Sequence, residues 1–267
     1  MTALTFRLEL RRSRVMAFWL VVIGGAYSGT IGAMYPFILE NTALLEEYMR
    51  AFPPELMAAF GMTGSLADPG VFFNTYIGNF LWPVLAAIGA ILLASRPVAA
   101  DVERGWAELA LGTPLTRVRA LGAAIIGQAL VLAVLAVMTV GSLLGVGVLV
   151  GAGFDATRFM AAAVVLWLFA CAIAGATSVV GALTLSRGIA AGVVAGVLIA
   201  MYLLNVVAQI QPDLAWLADL GAFKYLTTTE LIGLGVVPWT SIAVFGTAAA
   251  IGWAASLVVF ARRDLLA

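Results

Sequence analysis

Six stretches of this sequence run for twenty residues or more without one charged side chain, at about 15–37, 72–95, 120–150, 159–185, 189–208 and 239–260. About 20 apolar residues in a helix reach across a hydrocarbon layer of roughly 30 Å. Lipid offers no hydrogen-bond partners, so backbone that crosses it must be helix or closed barrel. The runs are rich in Leu, Ala, Val and Gly and show no alternation of period two, which selects helices. Composition agrees: apolar residues make up 63% and charged residues 10% of the 267 positions, against roughly 25% charged in an average soluble domain. The fold expected is an all-α integral membrane protein of six transmembrane helices forming a single domain over 1–267. The first run lacks a small-residue cleavage site and reads as a retained helix, not a signal peptide. The third is too long for one straight span, and its Gly-rich end near Gly145, Gly147 and Gly151 is expected to extend past the membrane.

Arg and Lys set the orientation, because cytoplasmic loops carry their excess. With the N-terminus inside, the inner segments hold 11 basic residues and the outer ones only Arg50, Arg158 and Lys224. Acidic residues run the other way, nine outside against five inside. Both termini are therefore expected in the cytoplasm. Two long outer loops follow, 38–71 and 209–238. The first has Leu44, Leu45, Tyr48 and Met49 at helical spacing, a break at Pro53-Pro54, and a second short helical stretch at 55–60. The second gathers Trp216, Leu217, Leu220, Phe223 and Tyr225, aromatic-rich chain that lies at the outer surface or re-enters it.

Absent residue types narrow the chemistry. The one lysine, Lys224, lies in an outer loop without a Gly-rich turn before it, so the chain has no P-loop for nucleotide phosphates. Histidine is missing and the single cysteine, Cys171, sits in an apolar run, which leaves neither a metal site nor His-based catalysis to expect. No ionisable group falls inside a span, and such groups mark proton relays and ion sites. Net charge is zero, and no nucleic-acid partner is implied.

The one substantial inner loop is 96–119. Within it, 98–111 reads as a short amphipathic helix: Val98, Val102, Trp106 and Leu109 fall within about 80° of one another at 100° per residue. Asp101, Arg104 and Glu108 share another face, and Gly112 and Pro114 stop the helix. Two readings stay open for it, an anchor on the inner leaflet or a partner-binding element. The run from Ala100 to Arg117 resembles the cytoplasmic loop of ABC-2 type transporter permeases. Glu103, Gly105, Glu108, Leu109, Pro114, Thr116 and Arg117 match that pattern, while Trp106 stands where Thr is common and Ala110 interrupts a Leu pair. Phe260 to Leu265 also resembles the way these permeases end.

The resemblance implies a permease subunit of an ATP-driven exporter in a prokaryotic inner or plasma membrane, with no catalytic residue and no cofactor of its own. ATP and Mg would sit on a separate ABC ATPase, present in two copies, and a second permease subunit, identical or related, would complete the pathway. The 98–111 segment would be the coupling helix, with Trp106 and Leu109 as its apolar plug and Asp101, Glu103, Arg104 and Glu108 orienting it on the ATPase. Second and fifth helices line the cleft in that family, which singles out Asn79, Trp82, Tyr202 and Asn205 among polar and aromatic residues that otherwise hydrogen-bond between helices. An amide and aromatic lining suits a drug, an antibiotic or a lipid-like cargo. Gly188, Gly192 and Gly196 on the fifth helix, and Gly25 and Gly29 on the first, form GxxxG rows that serve either packing within one subunit or a dimer seam. Two readings from other classes also fit the sequence: an ATP-independent secondary transporter or channel, and a non-transporting membrane scaffold.

Overall fold

A computed structural model of the protein describes residues 2–53, 57, 62, 64–97 and 117–262. Among them every regular element is helical, and six helices are long and apolar enough to cross a membrane. Helix α1 spans Thr2–Glu40, and α2 is the short Thr42–Met49. Helix α3 runs over Pro69–Ala94, with a π-helical stretch at Asn74–Leu81. Then come α4 (Arg117–Leu149), α5 (Ala156–Thr184) and α6 (Arg187–Ile210). Two 3₁₀ segments, Pro212–Leu220 and Ala222–Tyr225, lead through α7 (Thr229–Leu234) to α8 (Trp239–Arg262). Six crossings return the chain to its starting side, so α1 begins and α8 finishes at one end of the bundle, the terminal end. The segments 41–68 and 211–238 occupy the far end.

The helices overrun the expected spans by a few residues at most ends, and α1 by more. It starts at Thr2, well before the apolar run at 15–37, because nothing in Thr2–Arg14 breaks a helix once the span behind it is fixed. Helix α4 is a single piece of 33 residues, about 50 Å long at 1.5 Å per residue. Its last residues, Val148 and Leu149, are largely exposed. Capping explains the sharper ends. Asp68 accepts hydrogen bonds from Gly70 N and Val71 N, and Pro69 fills the first helical position of α3. Asp155 does the same for α5 through Thr157 N and Arg158 N. Leu185, in a left-handed conformation at φ 52°, ends α5, and Ser186 then caps α6.

Helices α3 and α5 are the most enclosed and α6 the least. Helix α5 lies against α3, α4, α6 and α8, and its Phe169 meets Phe245 of α8 at 5.3 Å between ring centroids. Where α5 crosses α8, a Cβ placed on Gly252 would fall 2.7 Å from the carbonyl carbon of Gly175. Only glycine permits backbones that close. Cys171 is buried in this core as a packing residue. Helix α1 seats on α4 in the same manner: a Cβ on Gly25 would meet Ser142 Oγ at 3.4 Å, and one on Gly29 would meet Val146 at 3.2 Å.

At the far end, α2 forms the helix expected at 44–49, while most of 55–60 lies outside the described residues. The second loop turns back into the bundle. Its Phe223 packs edge-on against Phe169 at 5.8 Å, a position about 20 Å along the axis of α5 from Ala156. Phe223 thus reaches into the helix bundle, while Trp216 and Leu220 stay exposed.

Candidate functional site

A cleft opens between α3 and α6, and an irregularity in α3 shapes it. Pro83 has no N–H to give the carbonyl of Asn79 four residues earlier, which weakens the α-helical ladder just ahead of it. The preceding turns widen: the backbone N–H of Trp82 reaches back five residues to the carbonyl of Ile77. Gly78 leaves space inside the widened turn for the Asn74 side chain, since a Cβ there would sit 2.6 Å from Asn74 Oδ1. Such π stretches recur at functional sites. Here the π stretch supplies Thr75, Tyr76, Asn79 and Phe80 to the wall of the cleft.

Helix α6 forms the opposite wall with Tyr202, Asn205 and Gln209, Tyr27 of α1 closes one side, and Phe223 enters from the loop between α6 and α7. The cavity they enclose is about 330 Å³. Phe223 stands edge-on to Tyr202 at 5.4 Å, and Tyr27 tilts over Phe80 at 6.1 Å. Asn79 lies about 15 Å along α3 from Pro69, close to mid-depth. From there a second, apolar trough of about 400 Å³ continues toward the terminal end between Val84, Ala87 and Ile88 of α3 and Ala195, Leu198 and Ile199 of α6. The two spaces share Asn79, Phe80, Tyr202 and Phe223. None of the described lining residues carries a charge, so the wall offers amides, hydroxyls and rings.

The charged groups lie above, at the far end. Arg158 Nη1 donates to the carbonyls of Ile232 (3.3 Å) and Gly233 (2.9 Å), while its Nε pairs with Asp155 at 3.1 Å. A cation on the last carbonyls of α7 complements the helix dipole. The Asp68 carboxylate lies against Gly233, and Gly70 packs under the Thr229 carbonyl. Arg158 and the α3 cap thus hold α7 on the starts of α3 and α5. Lys224 is exposed, and its ammonium, hydrogen-bonded to Asp219, holds its proton above the usual lysine range.

The structure therefore brings together three of the four pathway residues named from sequence. Asn79, Tyr202 and Asn205 meet in the cleft. Trp82 does not: it is fully buried, and its indole N–H donates to the Leu166 carbonyl of α5 at 2.9 Å. It ties α3 to α5 and faces away from the cleft. Gly25 and Gly29 pack on α4, whereas Gly188, Gly192 and Gly196 have no described atom within 4 Å of where a Cβ would stand. Asp101, Glu103, Arg104, Gly105, Trp106, Glu108, Leu109 and Pro114, with the whole 98–111 segment, lie outside the described residues. Arg117 opens α4. Tyr27, Thr75 and Tyr76 were not singled out from sequence. The signal for Thr75 and Tyr76 was present in Asn74-Thr75-Tyr76-Ile77-Gly78-Asn79, a cluster of polar side chains inside an otherwise apolar span.

Among the described residues no group of His, Cys, Asp and Glu could hold a metal ion. A six-helix membrane bundle with a cleft at mid-depth, uncharged among its described lining residues, has the build of a permease. Residues 11–265 match the model of the ABC-2 family transporter protein, and the chain belongs to that family. It is thus a multi-pass membrane permease component of an ABC transporter, distinct from the ATPase subunit with which such permeases partner. No curated protein matches the chain in sequence.

Proposed function

We propose that this chain is one half of an ATP-driven exporter for a drug, an antibiotic or a lipid-like compound, with the α3–α6 cleft as its share of the pathway. The observation that carries the reading is the cleft itself, with amides and hydroxyls at mid-depth, an apolar trough below, and no charge on its described walls. Such a lining accepts an amphipathic solute and offers no countercharge to a bare ion. The open face of α6, where Gly188, Gly192 and Gly196 meet no neighbour, supports a second permease subunit as the other half.

Both termini and the 96–116 segment face the cytoplasm in this reading, in accord with the 11 to 3 division of basic residues. ATP and Mg bind two copies of the partner ATPase. When these close, the 98–111 helix carries their motion into α3 and α4, between which it is strung. Helix α6, with few buried residues of its own, then moves against the α3–α5–α8 core and changes which end of the cleft is open.

Inverted vesicles containing the chain and its co-expressed ATPase test this. ATP should drive uptake of a fluorescent amphipathic dye. Trp106→Ala should depress uptake at least tenfold while nucleotide binding persists, the weight of an interface anchor of about 2 kcal/mol. Uptake that follows an ion gradient without ATP, or a purified chain that never retains an ATPase, refutes the proposal.

A further inference from the structure

The glycines that seat α1 on α4 end at Gly24. From there toward the chain terminus α1 has none as far as Arg14, and a trough of about 520 Å³ lies between α1, α3 and α4. Ala17, Phe18 and Val21 line it from α1, Gly89 from α3, and Leu130 and Val134 from α4. Gly89 deepens the floor, since even a Cβ there would touch Leu20, Leu132 and Leu135 at 3.4–3.6 Å. Every lining residue is apolar except one. Arg14, which is exposed, stands at the mouth, where the first apolar span begins. Arg11 is exposed one turn further out, and between Leu10 and Leu39 α1 contains no acidic residue.

The arrangement puts a permanent cation at the edge of the hydrocarbon and leads from it about 10 Å, the length of α1 from Arg14 to Val21, along an apolar channel. An acyl chain fits the channel, and a guanidinium takes two phosphate oxygens at once. We infer that this trough is a binding site for one anionic phospholipid of the leaflet at the terminal end, its phosphate on Arg14 and one acyl chain between α1 and α4. Arg11 disfavours a head group that carries its own cation, so the site prefers phosphatidylglycerol to phosphatidylcholine. The site is separate from the α3–α6 cleft and does not depend on the transport reading.

Trp19 reports on it. Its ring meets that of Phe18 at 5.5 Å, and it is exposed to lipid. The full-length chain is reconstituted in phosphatidylcholine vesicles containing either brominated phosphatidylglycerol or brominated phosphatidylcholine, and tryptophan quenching is titrated. Phosphatidylglycerol should be favoured about fivefold, the weight of one arginine at an anionic surface. Arg14→Gln should abolish the preference, and Arg14→Lys, keeping the charge but not the fork, should retain part of it. Ala17→Phe, which fills the channel and leaves the cation, should weaken quenching by both lipids. Equal quenching by the two lipids in the unaltered chain, or a preference that survives Arg14→Gln, overturns the inference. So does excess inorganic phosphate that erases the preference, since the site would then be one for a free anion.

Discussion

Gly252→Ala should loosen the core of this bundle although it adds a single methyl group. The new Cβ would lie 2.7 Å from the carbonyl carbon of Gly175, 2.9 Å from its Cα and 3.0 Å from its oxygen. Carbon pairs rest at about 3.5–4.0 Å, so α5 and α8 must part by about 1 Å where they cross. Both partners are backbone, and no side chain can rotate away. Overpacking of this kind costs about 1–3 kcal/mol, of which the better helix propensity of alanine returns at most about 1 kcal/mol. Gly246→Ala is the control. It lies in the same helix with no described atom within 4 Å of its Cβ position, so it keeps the propensity gain, up to about 1 kcal/mol, without the clash. The two variants should therefore differ by about 2 kcal/mol in opposite directions from the unaltered chain. Unfolding by SDS in mixed micelles, followed by tryptophan fluorescence, measures the gap. Midpoints that shift together would refute the crossing contact as the source of stability.

Trp82→Phe should cost about 1 kcal/mol for the lost bond to the Leu166 carbonyl, and Trp82→Ala about 3–5 kcal/mol through the cavity it leaves, read as thermal midpoints in detergent. Arg158→Gln should free α7, raising amide hydrogen exchange over 229–238 while protection in α5 stays intact; unchanged exchange would mean the guanidinium does not hold it. Gly192→Leu should leave the stability of the isolated chain within about 0.5 kcal/mol, as nothing packs there, yet reduce cross-linking to a second permease subunit. Asn205→Leu should raise the concentration of an amide-bearing cargo needed to stimulate the partner ATPase by about tenfold, the worth of one buried hydrogen bond.

The spans were legible because length and apolarity are one-dimensional properties, and the uncharged runs at 72–95 and 159–185 mark α3 and α5 to within a few residues. Asn79, Tyr202 and Asn205 were legible as polar or aromatic residues in such runs only once the family resemblance pointed to the second and fifth helices. What separates Asn79 from Trp82 was not, because it depends on how the turns ahead of Pro83 widen, and hydropathy does not report helical pitch. The glycine rows were equally plain on α1 and α6, but sequence says only that a close approach is permitted. It took the placement of Ser142 and Val146 to assign the α1 row to packing within the chain, whereas the α6 row still faces outward. Arg158 was read as one of three basic residues on an outer loop. Its hold on α7 joins positions more than seventy residues apart, a separation that no local pattern encodes.

The widened turns at Asn74–Leu81 also put the two halves of α3 out of angular phase, because a π turn takes up more residues than an α turn. Drawing that turn in to α-helical pitch without removing a residue should swing Pro69–Phe73 by about 100° relative to Trp82–Ala94. Phe72 would leave its stack with Tyr35, at 4.8 Å, and Gly70 would lose its place under Thr229. Nothing in the chemistry of the cleft wall would have changed, only the direction in which the upper helix points. Helical pitch within this one segment thus sets the aim of the pathway, separately from the identity of the groups that line it.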